Sequence, residues 1–61
     1  MKFSEFHRFI ERSGWKFSHA KGSHYFYVKD RQLSPPVPNH GSKEMGEGLR
    51  KKLVKEMGLI S

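Results

Sequence analysis

Lys21-Gly22-Ser23-His24-Tyr25-Phe26-Tyr27-Val28 is a turn followed at once by a strand. The Lys-Gly pair makes a tight, positively charged turn, and the aromatic and β-branched run after it favours extended backbone. His24 therefore falls where a rigid element begins, beside a glycine that permits close approach of another group. Upstream, Trp15 to His19 alternates. Trp15, Phe17 and His19 point one way and Lys16 and Ser18 the other, which is strand period. Ala20-Lys21-Gly22 turns the chain, and residues 23–29 form the second strand. Downstream, Asp30-Arg31-Gln32 makes the next turn. Leu33 to Val37 is a third extended piece, but Pro35 and Pro36 remove two ladder donors, so it is a short edge strand or an irregular one.

Helical patterns flank this hairpin region. Residues 4–13 read as a helix: Phe6 and Ile10, with Phe3 just before it, fall at helical spacing, and Phe9 widens the stripe. Ser4 is the expected cap, Glu5 sits in the first turn where the helix dipole favours it, and Gly14 is the stop. Pro38 to Glu47 is loop-rich. Gly48 to Met57 is a second helix, with Leu49, Leu53 and Met57 recurring every four residues, Val54 beside them and Gly58 closing it. Leu59-Ile60 can fold back onto the core. The order is helix, three antiparallel strands, helix. This predicts an α+β, two-layer α-β-β-β-α domain with two helices on one face of a three-stranded sheet. The same order occurs in double-stranded RNA-binding domains, which read RNA shape and phosphates.

Sixty-one residues form one domain, 1–61, with a small core. A domain of this size buries only about 60% of its unfolded surface. Disulfides are excluded because the chain has no cysteine. Twelve Lys and Arg against six Asp and Glu give a net charge of +6. That imbalance favours nucleic acid, an anionic surface or an acidic protein as partner. No apolar run approaches the ~20 residues of a spanning helix. The opening Met1-Lys2-Phe3-Ser4-Glu5 has no apolar leader region. A cytoplasmic protein with no membrane partner is the expectation.

Four histidines, His7, His19, His24 and His40, are present, but no His-Glu-x-x-His motif or i,i+4 His pair. No metal site and no cofactor are expected, since zinc needs three or four converging ligands. Ser23 and His24 are adjacent in a strand, so their side chains diverge and cannot form a nucleophile–base pair. Ser23 reads as a phosphate ligand or a turn residue. RNA cleavage asks less of a protein, because the substrate's 2′-hydroxyl is the nucleophile. A histidine with an unperturbed pKa of about 6.5 can move a proton near neutral pH, and lysines stabilise developing charge. Arg50, Lys51, Lys52 and Lys55 on the second helix are either RNA contacts or a solvated face favoured by the helix dipole.

In this order the segments resemble the HicA family of toxins, small mRNA interferases of bacterial toxin–antitoxin modules. "MKFSEFHRFIERSGWKF" is similar to the family's first helix and aromatic strand, and "KGSHYFYV" to its Gly-Ser-His strand start. "VPNHG" is similar to its Val-Pro-x-His, and "LRKKLVKEMGL" to its closing helix. The resemblance covers nearly the whole chain. Pro35-Pro36 and the glycine-rich "GSKEMGEG" depart from the family pattern. The resemblance implies a fold like the double-stranded RNA-binding domain, ribosome-independent cleavage of mRNA, and growth arrest; the single well-placed histidine and the many lysines suit a metal-independent reaction. The resemblance assigns the catalytic role to His24. It also implies an acidic HicB-type antitoxin that covers the active site in a hetero-oligomer. Lys21, Gly22, Ser23, Lys51, Lys52 and Lys55 are the candidate RNA-binding residues.

Two alternatives stay open on the residues alone: a non-catalytic RNA-binding module of the same fold, and an adaptor whose charge serves only an acidic protein. The strand period puts His24 on one face with Phe26 and Val28, and Tyr25 with Tyr27 on the other. Both sets are apolar, so the period leaves open which faces the helices. His24 is therefore expected to act only if the strand start is frayed or lies at the sheet edge, beyond the helix cover, a placement that Gly22 favours.

Overall fold

The computed structural model describes residues 1–59. Helix α1, Phe3–Arg12, forms on the apolar stripe and buries Phe3, Phe6, His7 and Ile10. It starts one residue before the expected cap. Lys2 is the N-cap, and Ser4 lies inside the helix. The orphan amides of the first turn go elsewhere: Phe3 N–H donates to the Lys43 carbonyl at 3.0 Å and Ser4 N–H to the Gly41 carbonyl at 3.0 Å. Lys2 N–H donates to the Glu5 carboxylate at 2.7 Å. That hydrogen bond holds the Glu5 carboxyl below its ordinary range. Backbone from the loop after the sheet thus does what a side-chain cap would do. At the other end, Lys29 Nζ donates to the Ser13 carbonyl at 2.9 Å, a cation at a helix C-terminus.

The sheet is built on strand β2, His24–Lys29. Strand β1, Lys16–Lys21, pairs antiparallel along one side of it. The turn between them is only Gly22-Ser23. Ala20 and Lys21, expected in the turn, belong to the strand, and β2 starts at His24 rather than residue 23. Gly22 has φ +63° and Ser23 does not share the positive sign, the pattern of a two-residue II′-type hairpin. The expected Trp15–Phe17–His19 alternation fails. Phe17 faces Tyr27, but His19 faces Phe26, so Ser18 is an extra residue in a β-bulge. One inserted residue turns His19 to the opposite face from Phe17.

The third strand is interrupted, as the two prolines predict. It consists of β3, Gln32–Leu33, and β4, Val37–Pro38, both pairing with β2 on the side away from β1. Between them, Ser34 keeps the ladder satisfied: its N–H donates to the Tyr27 carbonyl at 2.8 Å, and its hydroxyl accepts from Tyr27 N–H at 2.9 Å. The β2–β3 turn holds Asp30 and Arg31 at positive φ, the I′ pattern that matches strand twist.

Helix α2, Glu47–Met57, starts one residue earlier than expected. Gly58 ends it at φ +64°, a left-handed conformation that glycine adopts at low cost. Leu59 folds back as expected, its N–H bonded to the Val54 carbonyl at 3.0 Å and its side chain buried. Ile60 lies outside the described residues. Phe6, Ile10, Tyr27, Val37, Leu53 and Met57 meet in one core. Both helices therefore cover the Tyr25–Tyr27 face of the sheet, and the architecture is the expected two-layer α+β arrangement. Among the described residues, no helix is long and apolar enough to cross a membrane.

Candidate active site

Because Tyr25 and Tyr27 face the helices, period 2 directs His24, Phe26 and Val28 to the uncovered side. His24 is exposed for that reason. It is neither at a frayed end nor at a sheet edge. β2 is the central strand, and His24 is paired with Lys21 on one side and Pro38 on the other. A fixed backbone and a free imidazole are the combination that a proton-transfer group needs.

Lys21 is the direct cross-strand partner of His24 and lies on the same face, with Gly22 and Ser23 forming the turn between them. Such partners hold their Cβ atoms about 4.5–5.5 Å apart. The structure therefore brings Lys21, Gly22, Ser23 and His24 together at one hairpin tip. Ser23 is tied by its carbonyl, which accepts from Asn39 N–H at 2.8 Å. Lys51, Lys52 and Lys55 are exposed on α2 and belong to the helix layer, on the other side of the sheet from the His24 face. Glu47 offsets part of the α2 charge, at 3.4 Å from Arg50 and 3.8 Å from Lys51.

The other histidines are held differently. His7 is buried, a placement that its position in the Phe3–Phe6–Ile10 stripe could have indicated. Its Nε2 lies 2.9 Å from the Pro38 carbonyl, which can only accept, so Nε2 carries the hydrogen. Nδ1 then accepts from the Tyr27 hydroxyl at 2.5 Å. Burial lowers the His7 pKa, opposed by the Pro38 carbonyl. Burial, then the nearby Glu11 charge, pushes Tyr27 up to about 12. A neutral imidazole with both nitrogens engaged is a structural cross-link from α1 to β2 and β4. His40 sits edge-on to Phe3, ring centroids 4.9 Å apart. His19 stacks on Phe26, centroids 4.7 Å apart and planes 10° from parallel.

A concavity of about 470 Å³ lies away from His24. It opens between α1 and the helix side of the sheet, lined by His7, Arg8, Glu11, Phe17, Tyr25 and Asn39 among others. Deep clefts suit small ligands, whereas an open sheet face suits a polymer. The exposed imidazole beside a lysine therefore outweighs the cleft as the candidate reaction site. Among the described residues, no group of three or more His, Asp or Glu could hold a metal ion.

The model of the HicA toxin of bacterial toxin–antitoxin systems matches residues 3–59. The chain belongs to the HicA toxin family. It is 52% identical over 59 residues to a probable mRNA interferase HicA of Pseudomonas fluorescens, covering 97% of each chain. It is 36% identical over 59 residues to a probable mRNA interferase toxin HicA of Escherichia coli K12, covering 97% of this chain and 98% of the relative. A probable mRNA interferase HicA 1 of Photorhabdus laumondii is also 36% identical, with 97% and 100% coverage. No solved structure matches the chain. The match to HicA spans every element that builds the hairpin and the core.

Proposed function

We propose that this HicA chain is an endoribonuclease that cleaves mRNA independently of the ribosome and of metal, with His24 moving a proton in the reaction. The observation that carries the reading is an exposed histidine on a rigid central strand, paired across a two-residue turn with Lys21, in a chain whose relatives are named mRNA interferases. The substrate's 2′-hydroxyl attacks the adjacent phosphorus. A new O2′–P bond forms and the P–O5′ bond breaks, leaving a 2′,3′-cyclic phosphate and a 5′-hydroxyl. The 2′-hydroxyl loses a proton and the leaving O5′ gains one. His24 performs one of these transfers, which as a rule contributes about 10²–10⁴-fold. Lys21 stabilises charge on the non-bridging oxygens. Gly22, with open space where a Cβ would stand, lets the RNA backbone approach the turn. Ser23 offers a hydroxyl to the same phosphate, and Lys51, Lys52 and Lys55, on the helix side of the sheet, contact phosphates farther along the RNA.

The partner that silences this activity is an acidic HicB-type antitoxin covering the hairpin tip, a fit to the chain's charge of +6. The proteins meet in the cytoplasm as a hetero-oligomer. His24→Ala should lose at least ~10²-fold in cleavage of a purified RNA while keeping a native circular dichroism spectrum. A folded His24→Ala protein that cuts at the wild-type rate would remove the assignment. A folded wild type that binds RNA but never cuts it would leave a non-catalytic RNA-binding module.

A further inference from the structure

The open sheet face carries a feature that proton transfer at His24 does not use. His19 and Phe26 stand as a stacked aromatic pair, rings nearly parallel. The pair exists because of the bulge at Ser18, which turns His19 to this face. Ser18 Oγ lies 3.0 Å from His19 Nδ1 and holds the ring in orientation. Phe26 is two residues from His24 on the same face, about 6.6–6.8 Å along the strand. On its other flank, β3 ends at Leu33 and β4 begins at Val37, so no strand residue is registered opposite Phe26. The face continues into exposed Val28 and Leu33, 36% and 58% accessible, which is unusual for an outward side with no partner.

Charge selects the occupant. The residues registered on this face include Lys16, Lys21, His19 and His24 and no carboxylate. Flat aromatic rings bordered by cations match a strand of bases joined by phosphates. We propose that His19 and Phe26 form a stacking platform for a nucleobase of single-stranded RNA, beside the phosphate held at His24. This rests on the reading of the chain as an RNA-cleaving toxin and adds where the substrate base sits. Stacking is tolerant of base identity, so the platform positions RNA without reading its sequence.

The test uses the full chain with a 2′-O-methyl, hence uncleavable, single-stranded oligonucleotide carrying 2-aminopurine. Wild type should quench the 2-aminopurine fluorescence on binding. His19→Ala, an exposed position, should lose the quenching and bind roughly 5- to 150-fold more weakly. His19→Phe should restore both, which a merely structural role for the imidazole would not. An abasic oligonucleotide should bind wild type and His19→Ala alike. Equal quenching and affinity for wild type and His19→Ala overturns the platform. So does a His19→Ala protein that keeps RNA but loses an acidic protein partner, since the face would then be a protein interface. Cleavage of unmodified RNA by the same wild-type sample separates the two readings: if it cuts, the toxin reading stands even when the platform falls.

Discussion

Lys21 and His24 face each other across the first hairpin, with Gly22 and Ser23 alone between them. A cation and a titratable ring are thereby fixed side by side without any long-range contact. Replacing Lys21 with Met should lower RNA cleavage by roughly 10-fold or more. This is less than the ~10²–10³-fold for removing a preorganised donor, because Lys21 is exposed. Lys21→Arg should retain most of the activity. Single-turnover cleavage rates for the two variants decide this, and equal rates for Lys21→Met and wild type would detach the lysine from the chemistry.

The buried His7 network sets a pH dependence of stability. The folded His7 pKa lies below its ordinary value because burial disfavours the charged ring. Above about pH 6.5 both folded and unfolded chains hold neutral His7, and its contribution is complete. As pH falls through that value the unfolded chain takes up the proton first, so stability drops until the folded pKa is passed. Urea unfolding of wild type and His7→Gln between pH 7.5 and 5 should show a steeper loss for wild type. Parallel curves would contradict the sign.

Tyr27→Phe removes the hydroxyl that satisfies His7 Nδ1 and should cost about 1–3 kcal/mol, the usual penalty for leaving a buried acceptor unpaired. It should leave His24 in place, because Tyr27 points to the opposite face. Denaturation midpoints together with cleavage rates test this. A variant as stable as wild type would show that the hydrogen bond contributes nothing net.

Cleavage should persist in EDTA, since attack by the 2′-hydroxyl needs no metal. An RNA with hydrogen in place of the attacking 2′-hydroxyl should resist cutting, as should DNA. Restoration of a chelated sample by a divalent cation, or cutting of DNA, would demand a different mechanism.

The basic face of α2 makes a separate claim. If about three to four phosphates are neutralised by Lys21 and the α2 lysines together, the log–log salt slope for single-stranded RNA should be roughly −2 to −3. Lys51 and Lys55 stand at i,i+4, one turn apart. Lys51→Glu with Lys55→Glu should weaken binding for all sequences, because phosphate contacts position without specifying. An unchanged titration in that double variant would make α2 a solvated face and leave RNA to the sheet side alone.

The element order, the α1 and α2 core stripes, the break at Pro35-Pro36 and the place of His24 at a glycine turn are legible in the residues alone. These follow from local chemistry: side-chain period, glycine and proline backbone limits, and charge. Tertiary structure decided the rest. Period 2 separates His24 from Tyr25 but cannot say which is covered; packing of α1 against Tyr27 and Val37 does. Nothing local marks Ser18 as a bulge, because the extra residue is defined only against β2. Ser4 looks like a cap until the backbone carbonyls of Gly41 and Lys43 arrive to take the first amides of α1. His7 becomes a buried cross-link only when Tyr27 and the Pro38 carbonyl, from two strands distant in the chain, close on its two nitrogens. Each of these depends on a partner far along the chain, which no local pattern contains.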